Sequence, residues 1–282
     1  MNPKKLLSLA LALTMGLSLT ACGGGKAPSA SPSEAAGSAA PAESTAGSSD
    51  LAYVKDKGVL VVGITEFEPM DYQDKNGSWI GFDADMARAF AGSLGVECQF
   101  QVIDWDNKVL ELDGKNIDVV WNGMTLTDEV TSAMACSNAY CNNAQVVIVP
   151  SARAADYQSV DSVKDLAFAV EAGSAGKAEV EALGASYTEV QDQATALLEV
   201  SSGTADAAVI DSLMAAAMVG AGTSYADLTY TVGLNSEEYG VGFRKGSDLA
   251  AALNEFFQTA YADGSMQKTA ETYGVQAALI EQ

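Results

Sequence analysis

Gly114-Lys115-Asn116-Ile117-Asp118-Val119-Val120 (GKNIDVV) and Gly203-Thr204-Ala205-Asp206-Ala207-Ala208-Val209 (GTADAAV) carry the same signal 89 positions apart. In each, a glycine closes a helical stretch and an aspartate leads into a short apolar run, as when a helix hands over to a buried strand. Two such hand-overs predict two lobes of one architecture. Working outward from the first, Gly58 to Ile64 (GVLVVGI) reads as a buried strand rich in β-branched residues. Asp83 to Leu94 has helical spacing, with Met86, Phe90 and Leu94 on one face and Asp83 as the N-cap. Val96 to Ile103 alternates like a strand, Lys108 to Leu112 gives a short helix, and Ile117 to Trp121 is an apolar strand running into a polar turn, Asn122-Gly123-Met124-Thr125.

Around the second signal, Leu166 to Val170 predicts a strand, and the turn Glu171-Ala172-Gly173-Ser174 opens an Ala/Glu-rich helix. A strand at Tyr187 to Val190, a helix from Asp192 to Val200 and a strand at Asp206 to Ile210 follow. The chain closes with a strand near Glu238 to Gly246 and an amphipathic helix, Leu249 to Ala262. This alternation predicts an α/β fold, with a sheet flanked by helices in each half.

The N-terminus sets the compartment. Two lysines, Lys4 and Lys5, precede an apolar run from Leu6 to Leu19. That run is shorter than the roughly 20 residues of a membrane span and has the charge and small-residue ending of a secretory signal. It ends in Leu19-Thr20-Ala21-Cys22, which resembles a lipobox, so residues 1–21 are expected to be removed and Cys22 to carry a lipid. Residues 22–50 are then the lipidated cysteine and a linker of Gly, Ala, Ser, Pro and Thr, too polar to order itself. As a flexible coil, this stretch would hold the domain roughly 30 Å from the membrane. A Gram-positive cell surface is the expected location.

The chain has 15 basic and 37 acidic residues, a net charge of −22. Such a balance argues against nucleic acid and anionic lipid headgroups as partners. Histidine is absent, which excludes Ser-His-Asp and Cys-His catalysis and the commonest metal ligand. No cofactor or metal is expected. Beyond Cys22 the cysteines are Cys98, Cys136 and Cys141. At most one internal disulfide can form, and Cys136 and Cys141 either bridge or remain free.

Several strings in order carry a family resemblance. They are Val61-Val62-Gly63 with Pro69 downstream, Gly81-Phe82-Asp83-Ala84-Asp85, Asp104-Trp105-Asp106, Asn116-Ile117-Asp118 running into Asn122 to Thr127, Gln145-Val146-Val147, Asp206 to Asp211, and Tyr239 to Gly246. From about Val59 to Gly274 the chain resembles the type II periplasmic binding proteins, specifically the polar amino-acid family of ABC importers. The resemblance implies two lobes joined by two crossing strands, near Tyr140 to Ala144 and Ser236 to Tyr239. Residues 51–139 and 240–282 would form one lobe, and 140–239 the hinge strands and the other. It implies a monomer that closes on a small ligand and presents it to a membrane permease.

Residue by residue, the resemblance places Phe67 and Trp105 on either side of the ligand, where aromatic faces suit apolar or cationic groups. Gly123 and Thr125 match a turn that contacts an α-ammonium and an α-carboxylate. Ser174 and Ala175 begin a helix whose amides are donors to an anion. Asp211 matches the ammonium partner, Glu171 adds a second acid to that lobe, and Tyr239 closes one side. Trp121, on an apolar strand, reads as core.

The chain also departs from the family pattern. The turn T-x-T-x-x-R, whose arginine grips the α-carboxylate, reads here Thr125-Leu126-Thr127-Asp128-Glu129-Val130. Val130 stands in the arginine's place, and Ile64 stands where several relatives have an aspartate. Either Ser174, the helix amides and Thr125 hold a carboxylate unaided, or the ligand is an amine, a polyamine or an aromatic cation without one. Two other classes remain at this level: a fold-related enzyme, with Glu66, Glu68 and Glu171 as candidate acids or bases, and a protein that presents its ligand to a sensory receptor.

Overall fold

Thirteen strands order the domain, numbered along the chain: β1 (Val59–Ile64), β2 (Tyr72–Gln73), β3 (Trp79–Ile80), β4 (Glu97–Val102), β5 (Val119–Thr125), β6 (Ala135–Cys136), β7 (Cys141–Asn143), β8 (Gln145–Pro150), β9 (Ala167–Glu171), β10 (Ser186–Val190), β11 (Ala207–Asp211), β12 (Leu228–Gly233) and β13 (Glu237–Phe243). The computed structural model describes residues 49–282; the leader, Cys22 and the linker as far as residue 48 lie outside the described residues. Ten α-helices intervene among the described residues: α1 (Asp50–Lys57), α2 (Phe82–Leu94), α3 (Lys108–Asp113), α4 (Asp128–Ala133), α5 (Val160–Val163), α6 (Ala175–Leu183), α7 (Gln193–Ser202), α8 (Ser212–Met218), α9 (Leu249–Ala262) and α10 (Ser265–Tyr273).

The strands form two principal sheets, one per lobe. The first runs β4-β1-β5-β13-β6, with β7 also on β13, and the second runs β10-β9-β11-β8-β12. In each sheet three neighbouring strands are parallel, β4-β1-β5 and β10-β9-β11, and antiparallel strands complete the edge. Parallel neighbours need crossover helices that cover the sheet faces, so their strands read as continuous apolar runs. β5 is buried at six consecutive positions and β11 at all five. Two crossing strands join the lobes: β7 pairs antiparallel with β13, Glu237 opposite Asn143 and Tyr239 opposite Cys141.

The first core gathers Val62, Ile64, Phe90, Trp121 and Phe257, all fully buried. Trp121 meets Phe257 edge-on with ring centres 5.6 Å apart. In the second lobe, Val147, Val149, Phe168, Val170 and Val209 pack on one face of the sheet, while Ile148, Ala169, Leu197 and Ile210 belong to the other. None of the described helices is long and apolar enough to cross a membrane.

Three local expectations need correction or completion. Asn122 to Thr125, expected as a turn because Asn-Gly favours one, continues strand β5. Pairing with β13 overrides the local signal, Met124 opposite Gly240 and Thr125 opposite Tyr239, and a register shift beside Gly123, whose φ is +55°, absorbs the irregularity. Asp83 does not cap α2: Gly81 is the N-cap, and Asp83 lies within the first turn, fully buried. Cys98, Cys136 and Cys141 are free thiols. Cys136 lies opposite Gly242 and Cys141 opposite Tyr239, about 10 Å apart along β13 at a strand's rise per residue, beyond the reach of a disulfide.

Candidate functional site

Five groups of interest lie at or just beyond the carboxyl end of a parallel strand, where open α/β sheets leave a crevice at a switch in strand order. Phe67 follows β1, Trp105 follows β4 and Thr125 ends β5; in the other lobe Glu171 ends β9 and Asp211 ends β11. Between the two sheet ends lies a cavity of about 430 Å³. Phe67, Trp105, Gly123, Thr125, Glu171, Ser174, Ala175 and Asp211 all line it. Tyr239 does not. It is fully buried behind the wall, its ring edge-on to Phe67 at 6.3 Å and its hydroxyl donating to Asp211 Oδ1 at 2.7 Å. Glu66 and Glu68 are also outside the lining; Glu66 accepts from the Gln73 amide at 3.1 Å.

On the first-lobe wall, Gly123 is required by space as well as by its φ. A Cβ there would lie 2.5 Å from Phe67 Cε1, so a side chain would displace the aromatic ring. The Gly123 amide donates to Asp83 Oδ2 at 2.7 Å, which explains why Asp83 turns inward. The Thr125 hydroxyl is already engaged, donating to Glu237 Oε1 at 2.8 Å. Val130 packs with Trp105, Met124 and Met134 in a small apolar cluster.

On the second-lobe wall, Ser174 caps α6, its hydroxyl accepting from the Lys177 amide at 3.1 Å. Asp211 is the hub of a buried network. Its Oδ1 accepts from Asn143, from Gln145 Nε2 at 3.0 Å and from Tyr239; its Oδ2 accepts from Gln193. Burial pushes the Asp211 carboxyl up to about 7, and the neighbouring Glu237 adds to this. Burial likewise raises Glu171 to about 8, reinforced by Asp211 and Asp192. Within this wall, Glu171 Oε1 and Gln145 Oε1 have no hydrogen-bond partner.

The lobes touch across the cleft. Lys108 Nζ, from the first, donates to the Gly173 carbonyl of the second at 3.0 Å, and Asp106 packs so closely that a Cβ on Gly173 would stand 2.6 Å from its Oδ1. Six carboxylates line the cavity, Asp106, Asp128, Glu129, Glu171, Glu181 and Asp211, against two lysines, Lys108 and Lys177. Among the described residues no group of three or more His, Cys, Asp or Glu side chains is placed to hold a metal ion.

Residues 60–276 match the bacterial extracellular solute-binding proteins, family 3. The chain belongs to that family. It is similar to the L-cystine-binding protein TcyJ of Escherichia coli (strain K12), 28% identical over 235 residues that cover 78% of this chain and 84% of the relative. It is also similar to the arginine-binding extracellular protein ArtP of Bacillus subtilis (strain 168), 28% identical over 231 residues, 79% and 88% of the two chains. Among solved structures, an ABC uptake transporter substrate binding protein from Streptococcus pneumoniae with bound histidine superposes with a TM-score of 0.73 and 29% identity, covering 82% of this chain and 98% of that one. A family 3 protein binds a small solute and delivers it to an ABC transporter permease.

Five further residues join the candidate site, four of them without a distinctive signal in the sequence. Gln145, Gln193, Asn143 and Glu237 build the network around Asp211, and Lys108 enters the cleft from α3. Gln193 had a usable signal, since it directly follows the helix cap Asp192. Lys108 lies 22 positions upstream of Val130, too far along the chain for a local pattern to link the two.

Proposed function

We propose that this protein is the capture subunit of an ABC importer for an amino acid or a related small polar solute that carries positive charge. It works as a monomer at the outer face of the cell membrane, held by a lipid on Cys22 and a linker through residue 50, on a Gram-positive surface. The observation that carries the choice of cargo is the acidic lining of the cavity, six acidic side chains against two lysines. Burial raises two of those acids, Glu171 to about 8 and Asp211 to about 7, and the cost of ionising them is one that an arriving cation relieves. Phe67 and Trp105 offer aromatic faces to the same space, suited to a cation or an apolar stem. Lobe closure then buries the solute and displays one closed surface to the permease.

The test is a thermal-shift screen of residues 51–282 against amino acids, polyamines and aromatic amines. A true ligand at 100 times its Kd stabilises by about 2.7 kcal/mol, which for a domain of this size raises Tm by roughly 5–10 °C. The shift should disappear in Trp105→Ala. Silence across the whole screen would sink the importer reading, and mass-spectrometric conversion of a ligand would favour an enzyme.

Val130 favours one second reading, an amine, a polyamine or an aromatic cation with no α-carboxylate, because the arginine implied for that position is replaced by an apolar side chain. The two readings differ in a single chemical group of the ligand.

A further inference from the structure

Lys108 is the first residue of α3, it is 8% exposed, and it lines the cavity. Its ammonium donates to the Trp105 carbonyl at 3.1 Å and the Gly173 carbonyl at 3.0 Å, and stands 5.0 Å from the centre of the Trp105 ring. An ammonium has three donors, and these two carbonyls account for two. None of the ion pairs among the described residues involves Lys108. Burial therefore favours the neutral amine, opposed by the fields of Glu171, Asp106 and Glu129. A desolvated ammonium without a bound anion is an expensive state, and an anion reaching its third N–H would relieve it.

The neighbours of that N–H narrow the choice. Gly173, whose carbonyl Lys108 holds, immediately precedes Ser174, the cap of the nine-residue helix α6. Ser174 satisfies the Lys177 amide, while the amides of Ala175 and Gly176 have no acceptor among the described residues. Unpaired first-turn amides and the positive end of the helix dipole both favour negative charge. An ammonium from the first lobe and a helix end from the second thus meet on one side of the cavity, across the contact between the lobes. The acids Glu171 and Asp211 lie in the wall of the same cavity. Val130, in the place of the family arginine, shares that wall, and its neighbour Glu129 is near enough to act on Lys108.

We propose that Lys108 binds the ligand's carboxylate, restoring from α3 the positive charge that Val130 removes from α4, so that the cargo is an α-amino acid and not its decarboxylated amine. This rests on the cleft being the solute site. The carboxylate bridges Lys108 and the start of α6, while the positive groups of the ligand face the acidic wall. A lysine is a point charge on a flexible stem and lacks the fixed fork of arginine, so it selects for a carboxylate while constraining its orientation less. Because the two halves of the subsite come from different lobes, the carboxylate also favours the closed form.

The experiment compares ligand pairs that differ only in the carboxylate: L-arginine with agmatine, L-histidine with histamine, L-cystine with cystamine. Calorimetric titration of the mature chain should show at least one pair in which the amino acid binds about 30-fold or more tighter, the lower bound for a buried charge pair that loses one partner. Lys108→Met should collapse that ratio towards one, and adding Val130→Arg in the same chain should bring the preference back. If Lys108→Met weakens amino acid and amine by the same factor, Lys108 is only a latch between the lobes and the proposal falls alone. Tighter binding of the amine by the unaltered protein overturns it too. If neither member of any pair binds, the solute reading falls and takes this proposal with it.

Discussion

Asp71 and Asp83 in the first lobe and Glu171 and Asp211 in the second are two pairs of buried carboxyls with opposite outlooks. All four are 3% exposed or less, and burial pushes each upward: Asp71 well above the carboxylate range, Asp83 and Asp211 to about 7, Glu171 to about 8. The first pair is sealed. Asp83 Oδ2 accepts from the Gly123 amide and the Tyr140 hydroxyl, both at 2.7 Å, and Asp71 Oδ2 accepts from Asn122 at 2.8 Å. Neither residue reaches the cavity, whereas Glu171 and Asp211 both line it. Desolvation acts alike on the two pairs, but a ligand can relieve it only in the second. The sealed pair packs behind the cavity, and the open pair is where the proposed solute would be received.

The largest effect that would break this contrast is on binding. Asp211→Asn or Glu171→Gln should weaken a cationic solute by about 100-fold, within the range for truncating one side of a buried charge contact, whereas Asp71→Asn should leave calorimetric affinity nearly unchanged. Equal affinities for Glu171→Gln and the unaltered protein would remove the open pair from the site.

Stability should respond in the reverse order. Asp83→Ala strands the Gly123 amide and the Tyr140 hydroxyl, which at about 1–3 kcal/mol each makes a loss near 3 kcal/mol and lowers Tm by roughly 6–12 °C. A melting curve that matches the unaltered protein would show that the sealed pair props nothing.

The pH dependence sharpens the contrast further. Glu171, faced by Asp211, Asp192 and Lys108, is largely protonated below about 8, and Asp211 below about 7. A cation binds their ionised forms, so affinity should rise from pH 6 to pH 9 with proton release near pH 7. Titrations in buffers of different ionisation enthalpy would report it, and an affinity flat across that range would exclude a contact with either acid. For the unliganded protein the sign is opposite. A carboxyl whose folded pKa exceeds its unfolded value of about 4 makes folding less favourable as pH rises from about 4 through its folded pKa. The sign for the sealed pair follows from this: Asp71→Asn should raise Tm at pH 8.5 and leave it nearly unchanged near pH 4.

Much of the candidate site was legible through the family resemblance, which singles out Phe67, Trp105, Thr125 and Asp211, and all four line the cavity together with Glu171. Other features were hidden because they depend on partners far along the chain. Asp83 has a helix-capping pattern, yet it is committed to Gly123, 40 positions away, and to Tyr140, 57 away. Thr125 has the hydroxyl of a ligand contact, but Glu237, 112 positions on, already accepts from it. Asn122 to Thr125 has the composition of a turn and is a strand because β13 pairs with it.

By itself the sequence determined the two α/β lobes, the family and the strand ends from which a ligand would be held. The lobes follow from the period of apolar residues and from glycine placement, which act over a few positions, and the family and the candidate ligand contacts follow from the ordered strings that carry the resemblance. Tertiary structure alone decided which charges face the cavity. It turned Asp83 inward and Glu171 to the cleft, and it carried Lys108 to Gly173, 65 positions away. The physical reason is one of range: backbone and apolar preferences are local, whereas the cost of burying a charge depends on whatever the fold brings beside it.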